Sequence, residues 1–189
     1  FSAAVIDSSK IASASSISAK GIASGMPLGV MFAKEKIVNW PRGAHGNTYG
    51  GNPVSCVAAL ATMALIEEEY MHNASEMGAY FMHGLEQLQA RHASIGQVRG
   101  KGLMIGVEFV KDRLTKEPDE KLRDRVVDHA YLRGALLLGC AKSVIRMAPP
   151  LSVTKAEIDE ALAIFDESIT AAENGIEPSA SAEEQKLAA

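Results

Sequence analysis

The chain has 189 residues, 47% hydrophobic and 22% charged, enough for an ordinary globular core and incompatible with wholesale disorder, collagen or a small disulfide scaffold. Nineteen Lys and Arg against twenty-three Asp and Glu give a formal net charge of −4, without the basic excess of a phosphate-backbone binder, so no nucleic-acid partner is expected. Cys56 and Cys140 lie far apart in apolar runs and no Cys/His cluster has metal-ligand spacing, so a cytoplasmic setting and no metal are expected.

The chain opens on Phe1 with no basic n-region, which reads as a piece of a longer polypeptide. Residues 1–18 alternate small and apolar side chains, predicting a strand that leads to a loop. The glycines at 21, 25, 29, 43, 46, 50 and 51, with Pro27 and Pro41, then interrupt every would-be helix. That density of special backbone positions suits a ligand-facing surface. At Asn52 the texture changes: Asn is a good N-cap, Pro53 suits the first helical position, and residues 54–66 are apolar almost all round, predicting a buried helix. The run falls short of the roughly 20 residues a bilayer span needs, so no membrane partner is expected.

A second helix is predicted through Arg91, with Ala74, Met77, Phe81, Leu85 and Leu88 on one face. Residues 96–102 read as a turn-rich lead into a strand over 103–110, in which alternation sets Glu108 on the face opposite its apolar neighbours. Residues 111–120 read as a surface connection. Leu122, Val126 and Ala130 mark a helix stopped at Gly134, followed by an apolar run over 135–138 and a short strand over 144–147 closed by Pro149 and Pro150. Thr154 with Glu157 makes a capping box, and Ile158, Leu162, Phe165 and Ile169 stripe the last helix. From 173 to 189 periodicity fades and a disordered tail is expected.

Three places could carry chemistry. Lys20, flanked by small residues and walled by apolar ones, could serve as a poorly hydrated amine, a nucleophile or base; the alternative is an exposed loop lysine. In HGNTYGGNP, residues 45–53, the glycines, the Thr48 hydroxyl and the positive end of the following helix would suit an anion such as phosphate; the alternative is a glycine-rich turn with an ordinary N-cap. In VIRMAPPL, residues 144–151, Arg146 is a planar cation on an apolar strand, open to a carboxylate ligand or paired structurally with Glu108 or Asp159. Residues 96–102, GQVRGKG, lack the glycine spacing and the hydroxyl residue after the lysine that a P-loop needs. The five histidines suggest surface or packing roles.

In this order and spacing, the string SAKGIASGMPLG at 18–29 and the two strings above resemble the C-terminal half of a class III aminotransferase, a pyridoxal-phosphate enzyme of fold type I, over residues 18–169. The resemblance implies an α/β fold with residues 1–69 as the end of the large cofactor-binding domain, 70–172 as a small α+β domain and 173–189 as a tail. It implies that Lys20 forms the Schiff base with pyridoxal 5'-phosphate, that Thr48 binds the cofactor phosphate across a homodimer interface, and that Arg146 receives a substrate carboxylate. The string RGKGLM at 99–104, with Gly106 and Glu108, looks like the start of the family's small domain and carries no implied catalytic role. The aspartate that pairs with the pyridine nitrogen, the stacking aromatic and the phosphate loop would lie before residue 1. The implied reaction is transamination of an ω-amino acid such as 4-aminobutyrate, the amino donor, with 2-oxoglutarate as keto-acid acceptor. Ornithine or acetylornithine aminotransferases and amino-acid racemases share the pattern, and a non-catalytic fragment unable to hold the cofactor is the remaining alternative.

Overall fold

A computed structural model describes residues 16–32, 41, 43, 44, 46, 48 and 50–178, with the backbone alone at 16–20 and 31–32. The strand-to-loop reading of 1–18 therefore lies outside the described residues up to Ser15. The chain divides into two compact units, 1–69 and 70–189.

In the first unit β1 (Ser16–Ala19) pairs antiparallel with β2 (Gly29–Phe32), Ala19 opposite Gly29. The chain leaves β1 through a 3-10 turn, Lys20–Ala23, and Ser24 and Gly25 then take left-handed backbone at φ 47° and 95°. The Ser24 hydroxyl meets that of Thr62 at 2.8 Å, tying this turn to α1 (Pro53–Leu65). The start of α1 is the one the sequence signals: Asn52 Oδ1 accepts from the amides of Val54 and Ser55 at 3.0 and 3.3 Å, and Pro53 occupies the first turn.

Burial of α1 differs from expectation. Ser55 and Ala59 are its buried residues, whereas Val54, Val57 and Leu60 are 62%, 66% and 57% exposed. A helix that is apolar all round needs cover on every side. The described residues of this unit cover only the face that meets the Lys20–Ala23 turn, where Ala23 is fully buried.

In the second unit α2 (Met71–Arg91) precedes a β-hairpin, β3 (Ile95–Lys101) and β4 (Met104–Asp112). There follow β5 (Glu117–Pro118), α3 (Glu120–Leu132), β6 (Leu138–Cys140), β7 (Val144–Met147) and α4 (Lys155–Glu173). The antiparallel sheet runs β3-β4-β7-β6, with β5 added to β4. Alternation along β4 sends Ile105, Val107 and Phe109 to one face, where Phe81 and Leu85 of α2, Val126 of α3 and Phe165 of α4 complete the core. Phe109 and Phe165 meet edge to face, centroids 6.2 Å apart. The other face carries Arg99, Gly106, Glu108 and Arg146.

Residues 96–102, expected as a turn-rich lead, form most of β3 instead. Their glycines answer to close packing: a Cβ on Gly96 would lie 2.7 Å from Val110 Cγ1, and one on Gly100 would lie 2.4 Å from the Met104 carbonyl oxygen. Only Gly102 turns the chain, at φ 55°, in the two-residue loop joining Lys101 to its partner Met104.

The capping box on α4 is formed: Glu157 Oε2 accepts from the Thr154 amide and hydroxyl, both at 2.8 Å. These bonds lower the pKa of the Glu157 carboxyl, the Thr154 amide most. A lowered folded-state pKa contributes stability above the unfolded carboxylate range that is lost as pH falls through the folded value. Glu157→Ala is therefore expected to lower Tm at neutral pH and to have little effect in acid below the folded value; an equal loss at both would remove the assignment. Beyond α4 the chain stays tied down, with the Ile176 amide donating to the Ala171 carbonyl at 3.1 Å and the Ile176 carbonyl 2.9 Å from His129 Nε2. Residues 179–189 of the expected tail lie outside the described residues.

Candidate active site

Lys20 opens the 3-10 turn directly after β1; its backbone is placed there and its side chain lies outside the description. The next residues line a hollow of about 550 Å³ bounded by Gly21, Gly25, Met26, Pro27 and Leu28. Among the described residues no heavy atom lies within 4 Å of where a Cβ would stand on Gly21, Gly25 or Gly29. Among the described residues these glycines do not serve a packed neighbour.

Thr48 is exposed in a turn, its hydroxyl reachable by an external group. The helix end after it is already served, since Asn52 occupies the amides of Val54 and Ser55. What remains for an anion is the Thr48 hydroxyl and the positive end of the α1 dipole. His45, Asn47 and Tyr49 lie outside the described residues.

In the second unit Arg146 stands exposed on β7, opposite Gly106 on β4 and Leu138 on β6. Both carboxylates that could have held it structurally are engaged elsewhere. Glu108 Oε2 accepts from Arg99 Nη1 at 3.0 Å, and Asp159 accepts from the Tyr80 hydroxyl at 2.5 Å, a bond that raises the pKa of that phenol. Among the described residues Arg146 makes no ion pair, leaving its guanidinium fork open to a planar carboxylate.

Lys20 and Thr48 thus belong to the first unit and Arg146 to the second, and each is placed within its own. The Arg99–Glu108 pair carries no assigned role from sequence, although alternation on the two strands of a hairpin could have put both on one face. Among the described residues no group of His, Cys, Asp and Glu could hold a metal ion, and no helix is long and apolar enough to cross a membrane.

The family model described as aminotransferase class-III matches residues 7–169. Isoleucine 2-epimerase of Lentilactobacillus buchneri is 39% identical over 158 residues, covering 82% of this chain and 35% of the relative. A 4-aminobutyrate aminotransferase of Mycobacterium tuberculosis (strain ATCC 25618 / H37Rv) is 42% identical over 150 residues, covering 77% of this chain and 33% of the relative. A solved transaminase from the marine bacterium Virgibacillus superposes with a TM-score of 0.78 at 27% identity, covering 86% of this chain and 40% of that one. The chain spans about a third of the length of the curated relatives it matches.

Proposed function

Because the chain belongs to the class III aminotransferases, a family of pyridoxal-phosphate enzymes, we propose that it is the C-terminal portion of one, carrying the lysine that holds the cofactor and the arginine that holds a substrate carboxylate. The observation that carries this reading is the placement of Lys20 at the end of a strand, at the head of a glycine-lined hollow. A lysine directly before the glycines that line this hollow, and an exposed threonine at 48, are the residue types that suit an aldehyde-bearing phosphate ester. Lys20 would hold its carbonyl carbon and Thr48 its phosphate, the latter across a homodimer interface, in a cytoplasmic enzyme.

When bound, that group supplies the electron sink that acidifies the substrate carbon bearing the amino group. Lys20 Nζ, released as a free amine when the substrate's amino group takes its place, would take the proton from that carbon. Arg146 grips a substrate carboxylate through two parallel N–H donors, fixing which end of the molecule faces Lys20. With an ω-amino acid such as 4-aminobutyrate as donor and 2-oxoglutarate as acceptor, the outcome is transfer of the amino group.

A second reading has support in the epimerase relative: the proton removed by Lys20 is replaced on the opposite face of the same carbon, inverting it. The two readings separate on incubation with a single chiral amino acid and no keto acid, where racemisation proceeds and catalytic transamination does not.

The shared premise is tested by adding pyridoxal phosphate to the protein that carries this chain, reducing with borohydride and mapping the peptide that gains the reduced adduct. The adduct is expected on Lys20 and absent from Lys20→Ala; an unmodified Lys20 in the wild-type protein refutes the reading.

A further inference from the structure

The exposed face of the second unit's sheet holds an arrangement that the proposed carboxylate site does not yet explain. Arg99 lies opposite Gly106, and Gly106 lies opposite Arg146, so two arginines flank a glycine in one row across β3, β4 and β7. Glu108, two residues along β4 from Gly106, points to the same face and lies opposite Gln97 on one side and Val144 on the other. Glu108 is therefore a diagonal neighbour of both arginines. Diagonal positions stand roughly 7–8 Å apart, within reach of long side chains, so register allows the Glu108 carboxylate to pair with either.

It pairs with Arg99. Arg99 Nη1 donates to Glu108 Oε2 at 3.0 Å and also to Gln97 Oε1 at 3.1 Å. Gln97 thus helps to hold the guanidinium on the β3 side of the sheet. Gly106 places no side chain between the arginines; a Cβ there would come within 3.3 Å of Val144 Cγ1. The result is one arginine neutralised by the local carboxylate and another left open.

We propose that Arg99 is a positioning residue for the carboxylate site: it holds Glu108 aside so that Arg146 stays free for a substrate carboxylate. The inference rests on the substrate-binding role given to Arg146 above. Without Arg99, Arg146 is, among the described residues, the other arginine diagonal to Glu108 in this register. A carboxylate attached to the same sheet competes at the millimolar effective concentrations typical of a short tether. Glu108 would then occupy the donor fork that the ligand needs.

The test uses the protein that carries this chain and glutarate, a simple dicarboxylate, as the probe, with binding read from the guanidinium NMR signal of Arg146. Wild-type protein is expected to bind glutarate, and Arg146→Ala, which lacks that signal and is followed by titration calorimetry, is expected to lose the binding. Arg99→Gln is expected to weaken it roughly twofold, as for an internal competitor near its own dissociation constant. Adding Glu108→Gln to Arg99→Gln is expected to restore it, which a merely structural role for Arg99 would not do. If the wild type fails to bind at Arg146, the carboxylate-site reading falls and this inference with it. If the wild type binds but Arg99→Gln is silent, or Glu108→Gln does not rescue it, only the positioning role is overturned.

Discussion

Gly78→Ala is expected to destabilise the second unit by about 2–3 kcal/mol, read as a lower urea midpoint at unchanged m-value. A Cβ on Gly78 would lie 2.4 Å from the carbonyl carbon and oxygen of Gly102 and 2.6 Å from its Cα. Those are backbone atoms of the β3–β4 turn, held by pairing on both strands, and they cannot swing away as a side chain can. Alanine is the better helix former by about 1 kcal/mol, so propensity alone predicts stabilisation. Overpacking costs typically about 1–3 kcal/mol, and more against rigid backbone, so the clash outweighs propensity. Gly84→Ala in the same helix is the control. Its Cβ would come within 2.3 Å of Leu162 Cδ1, the end of a side chain that can rotate, and a smaller change is expected. A Gly78→Ala protein at least as stable as wild type would show that α2 and the turn can separate at little cost.

His92→Ala is expected to cost about 3 kcal/mol, measured by the same denaturation. His92 is only 7% exposed and closes the C-terminal end of α2. Its Nε2 lies 2.6 Å from Asp166 Oδ1 and its Nδ1 2.8 Å from Glu173 Oε2, so the two ring nitrogens bridge two carboxylates of α4. Arg91 pairs with the second Asp166 oxygen at 2.8 Å, and the Ser94 hydroxyl donates to the second Glu173 oxygen at 2.6 Å. Removing the imidazole leaves each carboxylate one partner and opens a hole between two helices. His92→Phe separates the contributions, since it fills space while supplying no donor. If Phe restores stability, packing and not the two bonds holds this corner; a cost under about 0.5 kcal/mol for His92→Ala would discard the clamp altogether.

Helix starts and buried stripes were legible in the sequence because they follow local rules. Asn52–Pro53 and Thr154 with Glu157 are caps built within a few residues, and Phe81, Leu85, Phe165 and Ile169 repeat at helical spacing. The strand over Ile95–Lys101 was not legible, because glycine at 96 and 100 signals a turn by its own preferences. Its real reason lies in Val110 and Met104, on the neighbouring strand. The exposure of Val54, Val57 and Leu60 escaped for the complementary reason: periodicity reports that a face is apolar and cannot report what lies on it. At the candidate site the identity of Arg146 could be singled out in advance. That it makes no ion pair among the described residues could not, since the pairing of Glu108 with Arg99 and of Asp159 with Tyr80 is set by tertiary structure.

The two-residue turn at Gly102 has a genetic consequence. Because side chains alternate strictly along a strand, moving β3 by one residue against β4 would exchange its two faces and turn Arg99 toward Phe81 and Leu85. A substitution in this turn alters one side chain, whereas inserting or deleting a single codon would shift the whole register of β3 against β4. In-frame indels at this locus should therefore be more damaging than single substitutions, a comparison that deep mutational scanning can read directly.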